Sequence, residues 1–179
     1  MKKQRNLLFV MSDQHSRKVS GYAGHRFVQT PTLDRLAANG TWFDNAYATS
    51  PICVPARASV ATGRYLFESG YWDNADAYDA RIPSWHHHLR DAGHPVVAIG
   101  KLHFRDAQTD YGFTDVRLPM HIPDGKGDLL GLIRDQPRER AAAHKLAGLA
   151  GPGESDYTRY DRAITREAIT WLGREARTC

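Results

Sequence analysis

Apolar residues in this chain fall into short unbroken runs and into stretches of helical spacing. Residues 6–11, "NLLFVM", are a continuous apolar run that ends abruptly in Ser12-Asp13-Gln14-His15. Such a run predicts a strand of a parallel sheet, covered on both faces. In open α/β sheets, ligands are held at the carboxyl ends of strands, which draws attention to that turn. "TPTLDRLAANG" predicts a helix: Thr30 can cap it, Pro31 takes the first helical position, Leu33, Leu36 and Ala37 share a face, and Gly40 stops it. "TWFDNAYA", residues 41–48, predicts a second strand, and "PARASVATG" a short helix closed by Gly63. "IPSWHHHLRDAGH" predicts an amphipathic helix with Ile82, Trp85, His88 and Leu89 inward. "PVVAIG", residues 95–100, predicts a third strand that delivers "KLHF" at its end, as the first delivers "SDQH".

Beyond about residue 106 the pattern loosens. "YGFTDVRLPMHIPDGKGD" is rich in Pro, Gly and Asp and predicts a long excursion; "QPRERAAAHKLAGLAGPGESD" adds a basic, alanine-rich helical piece and a link. "DYTRYDRAITREAITWLGREAR" predicts a helix with Tyr160, Ala163, Ile164, Ala168, Ile169 and Leu172 in one stripe. The expected organisation is therefore a motif-bearing core over 1–106, an excursion over 107–155, and over 156–179 a helix leading towards a further strand. Strands alternating with helices argue for an α/β layered fold.

Composition narrows the function classes. At 179 residues, 41% hydrophobic and 25% charged, the chain is long enough for one domain with a real core. The formal charge of +4 suits an anionic substrate without requiring one. No block of like charges and no interleaved basic and aromatic run is present, so no nucleic-acid partner is expected. Two cysteines, Cys53 and Cys179, are too few for a disulfide scaffold. "MKKQR" before the apolar run mimics a signal peptide, but the run is too short for one. No segment approaches transmembrane length, so a cytoplasmic protein with no membrane partner is expected.

Three strand or loop ends carry the candidate chemistry. Asp13 beside Gln14 offers oxygen ligands to a hard cation, although a carboxylate there also serves as an ordinary cap or turn residue. Cys53 sits at or just before the amino end of the "PARASVAT" helix, where free N–H groups and the helix dipole favour an anion. Arg57 lies one helical turn on. A half-buried structural thiol is the competing reading of a lone cysteine. Lys101 and His103 are two apart at a strand end, so both are expected to point to the same side. The lysine can neutralise an ester oxyanion, and the histidine can donate to a leaving-group oxygen. His86, His87 and His88 fan out over different helix faces and read as packing or surface residues, not a metal site. The "DNA" at Asp73 to Ala75 reads alone as a turn.

At these residues the chain resembles the sulfatases. "CVPARASVATG" is similar to their signature, Cys-x-Pro-Ser/Ala-Arg followed by Thr-Gly, with Cys53, Pro55, Ala56, Arg57, Thr62 and Gly63 at its fixed positions. "NLLFVMSDQH" resembles the family's first strand and metal-binding turn, and "GKLHF" its second signature. The likeness is strong over 6 to about 106 and weak in the final helix. "YWDNADAYDARIPSWHHHLRDAGHPVVAIGKLHF" looks most like the choline-sulfatase and phosphonate-monoester-hydrolase branch of the alkaline-phosphatase-like superfamily.

The resemblance implies an alkaline-phosphatase-like layered sheet with helices on both faces, of which this chain would hold the N-terminal part. It implies sulfuric ester hydrolysis by a formylglycine made from Cys53, with a formylglycine-generating enzyme as partner. One hydroxyl of the hydrated aldehyde attacks sulfur and the other expels sulfate. Asp13 and the modified Cys53 would be metal ligands; Gln14 stands where many members carry a second aspartate. Arg57 would steady the formylglycine, Lys101 would hold the substrate oxyanion, and His103 would contact the diol or the leaving-group oxygen. Asn74 would contact substrate. Calcium is the usual cation, with manganese or zinc in the phosphonate-hydrolase branch. A small sulfate ester is the implied substrate and a homo-oligomer the implied assembly. Two alternatives stay open: a phosphonate or phosphate ester hydrolase on the same scaffold, and a truncated non-catalytic remnant. The family's downstream half-site, an Asp followed by Asn or His and a later lysine, is not in this sequence, so weak metal binding and little turnover are expected of the chain alone. Trp72, Tyr71 and Tyr78 near Asn74 read either as an aromatic wall for a quaternary ammonium or as ordinary packing.

Overall fold

Helix signals in the sequence are local, and the structure follows most of them. The computed structural model describes residues 6–125, 148 and 151–175. Five helices are described, α1 (Pro31–Asn39), α2 (Cys53–Thr62), α3 (Leu66–Ser69), α4 (Trp85–Asp91) and α5 (Asp156–Arg174), with strands β1 (Val97–Lys101) and β2 (Asp115–Met120) between α4 and α5. The alanine-rich piece expected near 136–147 lies outside the described residues. No described helix is long and apolar enough to cross a membrane.

The chain divides into two units, residues 1–47 and 48–179. In the first, α1 starts with Pro31 at its first position, as expected. Thr30 does not cap it by side chain. Its Oγ1 instead accepts the Gly21 N–H and donates to Asp34 Oδ1, which also accepts the Tyr22 N–H. These bonds clamp the turn at 21–23 onto the helix. Glycine at 21 leaves room for the carboxylate: a Cβ there would meet Asp34 Oδ2 at 2.6 Å and push it aside.

Two expected strands are not formed. Residues 6–11 and 41–48 carry no strand, and Leu7 to Met11 are 42–81% exposed. Apolar content supplies a face to bury, but a strand exists only where a neighbour closes its ladder. Among the described residues the only ladder is β1 with β2. At 41–48 local bonds compete as well: Trp42 Nε1 donates to Asp44 Oδ1 at 2.6 Å, and its ring meets Tyr22 edge-on at 4.2 Å.

The second unit holds the core: Tyr71, Tyr78, Phe104 and Tyr111 around the small residues Ala58 and Ala61 of α2. Tyr78 meets Tyr71 and Phe104 edge-on at 5.4 and 4.8 Å, a geometry that favours aromatic pairs beyond their area. Both buried phenols are satisfied, Tyr71 by Asp79 Oδ1 at 2.6 Å and Tyr78 by the Ile82 carbonyl at 2.7 Å. Tyr71 and Tyr78 are fully buried, so of the three aromatics weighed as a wall, only Trp72 stays at the surface.

β1 forms where expected. Its partner β2 lies inside the stretch read as an excursion, and pairs with it in parallel. Pro119 hid β2 in the sequence. It sits at an irregularity in the ladder, where no N–H is needed. α4 turns a different face inward than expected: His88 and Leu89 are exposed and His86 is buried. The helix begins at Trp85, so Ile82 precedes it and the stripe counted from Ile82 has no helical basis. His86 stacks on Phe113 at 4.3 Å instead.

α5 is capped by Ser155, whose Oγ accepts the Thr158 N–H. Its inner face carries Tyr160, Ala163, Ile164, Glu167, Ala168 and Trp171; Ile169 and Leu172, expected inward, are 65% and 41% exposed. Arg117 of β2 forks onto Glu175 at 3.0 and 2.6 Å and reaches Glu167 at 3.0 Å. These three bonds favour a helical face rotated towards β2.

Candidate functional site

Cys53 is the first residue of α2, half-buried, with Ile52 in extended conformation before it. Beyond Cys53 itself, the first donors of the helix are accounted for. Pro55 has no N–H, the Ala56 N–H closes on the Ile52 carbonyl at 3.1 Å, and the Val54 N–H is accepted by Asn74 Oδ1 at 3.0 Å. Gly63 ends the helix in left-handed conformation, φ 67°, as its place in the motif predicts. Asn74, expected as a substrate contact, thus acts as a helix cap from twenty positions downstream. No feature of the sequence marks that contact.

Arg57 stands one turn after Cys53, half-buried. Its Nη1 donates to the Lys101 carbonyl at 2.6 Å and lies 3.5 Å from that of Leu102. The guanidinium therefore ties the helix carrying Cys53 to the end of β1. Geometry at Lys101 and His103 departs from the expectation. β1 ends at Lys101, and His103 is left-handed, φ 57°. The two-residue alternation that put both side chains on one side applies only to extended backbone. The turn is fixed instead by the His103 N–H, which donates to the Met120 carbonyl at 2.7 Å.

A third tie closes the arrangement. Arg105 donates its N–H to the Tyr78 carbonyl at 3.0 Å, and its guanidinium lies 3.1 Å from Asp79 and 3.6 Å from Asp76. The loop after His103 is thereby joined to the segment that carries Asn74. Arg81 completes the group, 3.0 Å from Asp76 and stacked 4.1 Å over the Tyr71 ring. Burial alone would raise the Asp79 carboxyl, but the Tyr71 hydroxyl, the Arg81 N–H and the two arginine charges outweigh it and hold it below the usual range. An open cavity of about 570 Å³ lies beside this group, lined by Asp76, Arg105, Asp106 and Gln108 among others. None of its described lining residues is a predicted site residue.

In the first unit, Asp13 and Gln14 form an exposed turn, with Gln14 left-handed at φ 54°. Residues held in that region cost energy and concentrate at functional sites. Their oxygens are right in kind for a hard cation but short of the six to eight ligands, typically, that such an ion takes. Among the described residues no group of three or more His, Cys, Asp or Glu could hold a metal ion. His86 and His87 take structural places, and His88 is exposed. His86 Nδ1 lies 3.3 Å from the Tyr111 carbonyl, and His87 Nδ1 accepts the Ser84 N–H.

Comparison with known proteins adds an independent line. The Sulfatase family model matches residues 5–177. The choline-sulfatase of Rhizobium meliloti is 37% identical over 157 residues, 86% of this chain and 30% of that protein. The solved structure of BT4656 in complex with its substrate D-glucosamine-2-N,6-O-disulfate superposes with a TM-score of 0.59 at 33% identity, over 64% of this chain and 23% of that one. The phosphonate monoester hydrolase of Agrobacterium radiobacter gives 0.59 at 23% identity, over 88% and 36%, a likeness of fold alone. The chain thus spans less than a third of the length of the choline-sulfatase, and its α/β architecture is a partial form of the fold these structures share.

Proposed function

The chain belongs to the sulfatase family of hydrolases, and from that premise we propose that it takes part in sulfate-ester hydrolysis with Cys53, oxidised to formylglycine, as the source of the nucleophile. The observation that carries the reading is the bond from Arg57 to the Lys101 carbonyl. It joins the two signature segments, so that the residue one turn from the nucleophile fixes the start of the oxyanion-binding loop. In this reading the Lys101 ammonium neutralises a sulfate oxygen, and His103 gives a proton to the departing alkoxide. Asn74 caps the nucleophile helix through its Oδ1 and keeps its amide NH2 to donate to the ester. Asp13 and Gln14 contribute oxygen ligands to a divalent cation, calcium by preference, which when bound supplies charge neutralisation. Identity with the choline-sulfatase favours a small sulfate ester, and choline sulfate is the first to test. A formylglycine-generating enzyme is the implied partner.

The test is mass spectrometry of the tryptic peptide containing Cys53, from protein made with and without a formylglycine-generating enzyme. Conversion of the thiol side chain to the aldehyde or its hydrate, only with that enzyme, is the expected result. A thiol left intact in its presence would remove the nucleophile from the proposal. Release of inorganic sulfate from choline sulfate and from an aryl sulfate, by the converted chain, then tests the ester class.

A further inference from the structure

β1 and β2 do not keep one register. Val97, Ala98 and Ile99 stand opposite Asp115, Val116 and Arg117, whereas Lys101 stands opposite Met120. Leu118 and Pro119 of β2 therefore face Gly100 alone. Such a bulge bends its strand and re-aims the side chains beside it. Its residues have the matching conformations, Gly100 at φ 96° and Leu118 at φ 48°. Leucine rarely adopts that region, so something outside the strand holds it.

α5 touches the bulge at two points. The Tyr160 hydroxyl donates to the Leu118 carbonyl at 2.6 Å. Ile164 lies so close to Gly100 that a Cβ there would meet its Cδ1 at 2.8 Å. On the far side of the bulge come Lys101, whose carbonyl takes the Arg57 guanidinium, and the left-handed His103, whose N–H is bonded to Met120. Burial raises the pKa of the Tyr160 hydroxyl, and the Arg57 charge works against that rise.

We propose that Tyr160 is a positioning residue for Lys101 and His103: by holding the Leu118 carbonyl it locks a one-residue register shift immediately before them. Their roles towards a sulfate ester rest on the function proposed above; the lock does not. The competing role for Tyr160 is simple attachment of α5, and the two differ in where the loss of the hydroxyl is felt.

The experiment uses the full 179-residue chain, labelled for NMR, with Tyr160→Phe. The expected result is a retained fold, displaced backbone resonances at Lys101, Leu102 and His103, and weaker binding of inorganic sulfate. A lower melting temperature with resonances 101–103 unmoved would overturn the proposal. Gly100→Ala attacks the same bulge from β1 without touching the hydroxyl, and displacement of the same three resonances is expected; their indifference would count equally against the lock. Should the unsubstituted chain bind no sulfate, the anion-holding role of Lys101 falls, while the resonances still decide the positioning.

Discussion

The Arg57 guanidinium donates to the main-chain carbonyl of Lys101 at 2.6 Å, linking the first turns of α2 to the last residue of β1. A main-chain carbonyl is a fixed acceptor whatever side chain its residue carries. The contact therefore specifies where the loop begins and leaves the Lys101 ammonium out of the bond.

Arg57→Ala removes a charged hydrogen bond between two half-buried segments. A loss of about 2 kcal/mol is expected, read as a lower urea midpoint at unchanged slope. Arg57→Lys keeps the charge but not the fork, and is expected to recover only part of the loss. A midpoint equal to that of the unsubstituted chain would show that the tie carries no energy.

Asn74→Ala uncaps α2. Caps of this kind are worth about 1 kcal/mol, and Asn74→Asp or Asn74→Ser should restore most of it, since each keeps an oxygen for the Val54 N–H. Thermal unfolding of the three variants gives the comparison. Equal loss in all three would mean that the amide NH2, not the cap, matters.

Gly112 is left-handed at φ 84°, and a Cβ there would overlap the His87 main-chain nitrogen and meet its Cα at 2.6 Å. Those atoms belong to the backbone of α4 and cannot turn aside. Gly112→Ala is expected to cost more than about 3 kcal/mol, seen as loss of near-ultraviolet circular dichroism. A native-like spectrum would require α4 to shift freely, which its packing through His86 argues against.

His86 is 6% exposed, and burial pushes its imidazole down to about 4, beyond what the Tyr111 carbonyl restores. The unfolded chain takes up this proton near its ordinary value of about 6.5. Between those values the unfolded state binds more protons, so stability falls as pH falls. The full effect is about 3 kcal/mol. Asp79, held low, adds a further loss below its unfolded value of about 3.9. Urea midpoints from pH 8 to pH 4 should decline, and His86→Phe should flatten the upper part of that decline. An unchanged slope in His86→Phe would assign the titration elsewhere.

What the sequence made legible was mostly what local signals encode. Pro31 at a helix start, Gly63 at a helix end and the amphipathic stripe around Tyr160 each act within a turn or two of themselves. Cys53, Arg57, Lys101 and His103 could be put forward as candidates because their chemistry and spacing travel together. The runs at 6–11 and 41–48 misled because apolar character does not reveal whether a pairing partner is present. β2 was hidden by Pro119, which a bulge accommodates. Asn74 and Arg57 bind main-chain atoms far along the chain, and such partners leave no trace in side-chain identity.

The connection between β1 and β2 is the segment 102–114, which carries His103, Arg105 and Gly112 and contains no helix. His103, proposed to protonate the departing alkoxide, is thus part of the link that must close before the two parallel strands can meet. Closing such a non-local link costs chain entropy before its contacts repay it. Placing of His103 and pairing of the strands are then one kinetic event. Pulse-labelled hydrogen exchange during refolding should protect the His103 amide together with the β2 ladder and after the amides of α2; protection of His103 ahead of β2 would separate the two.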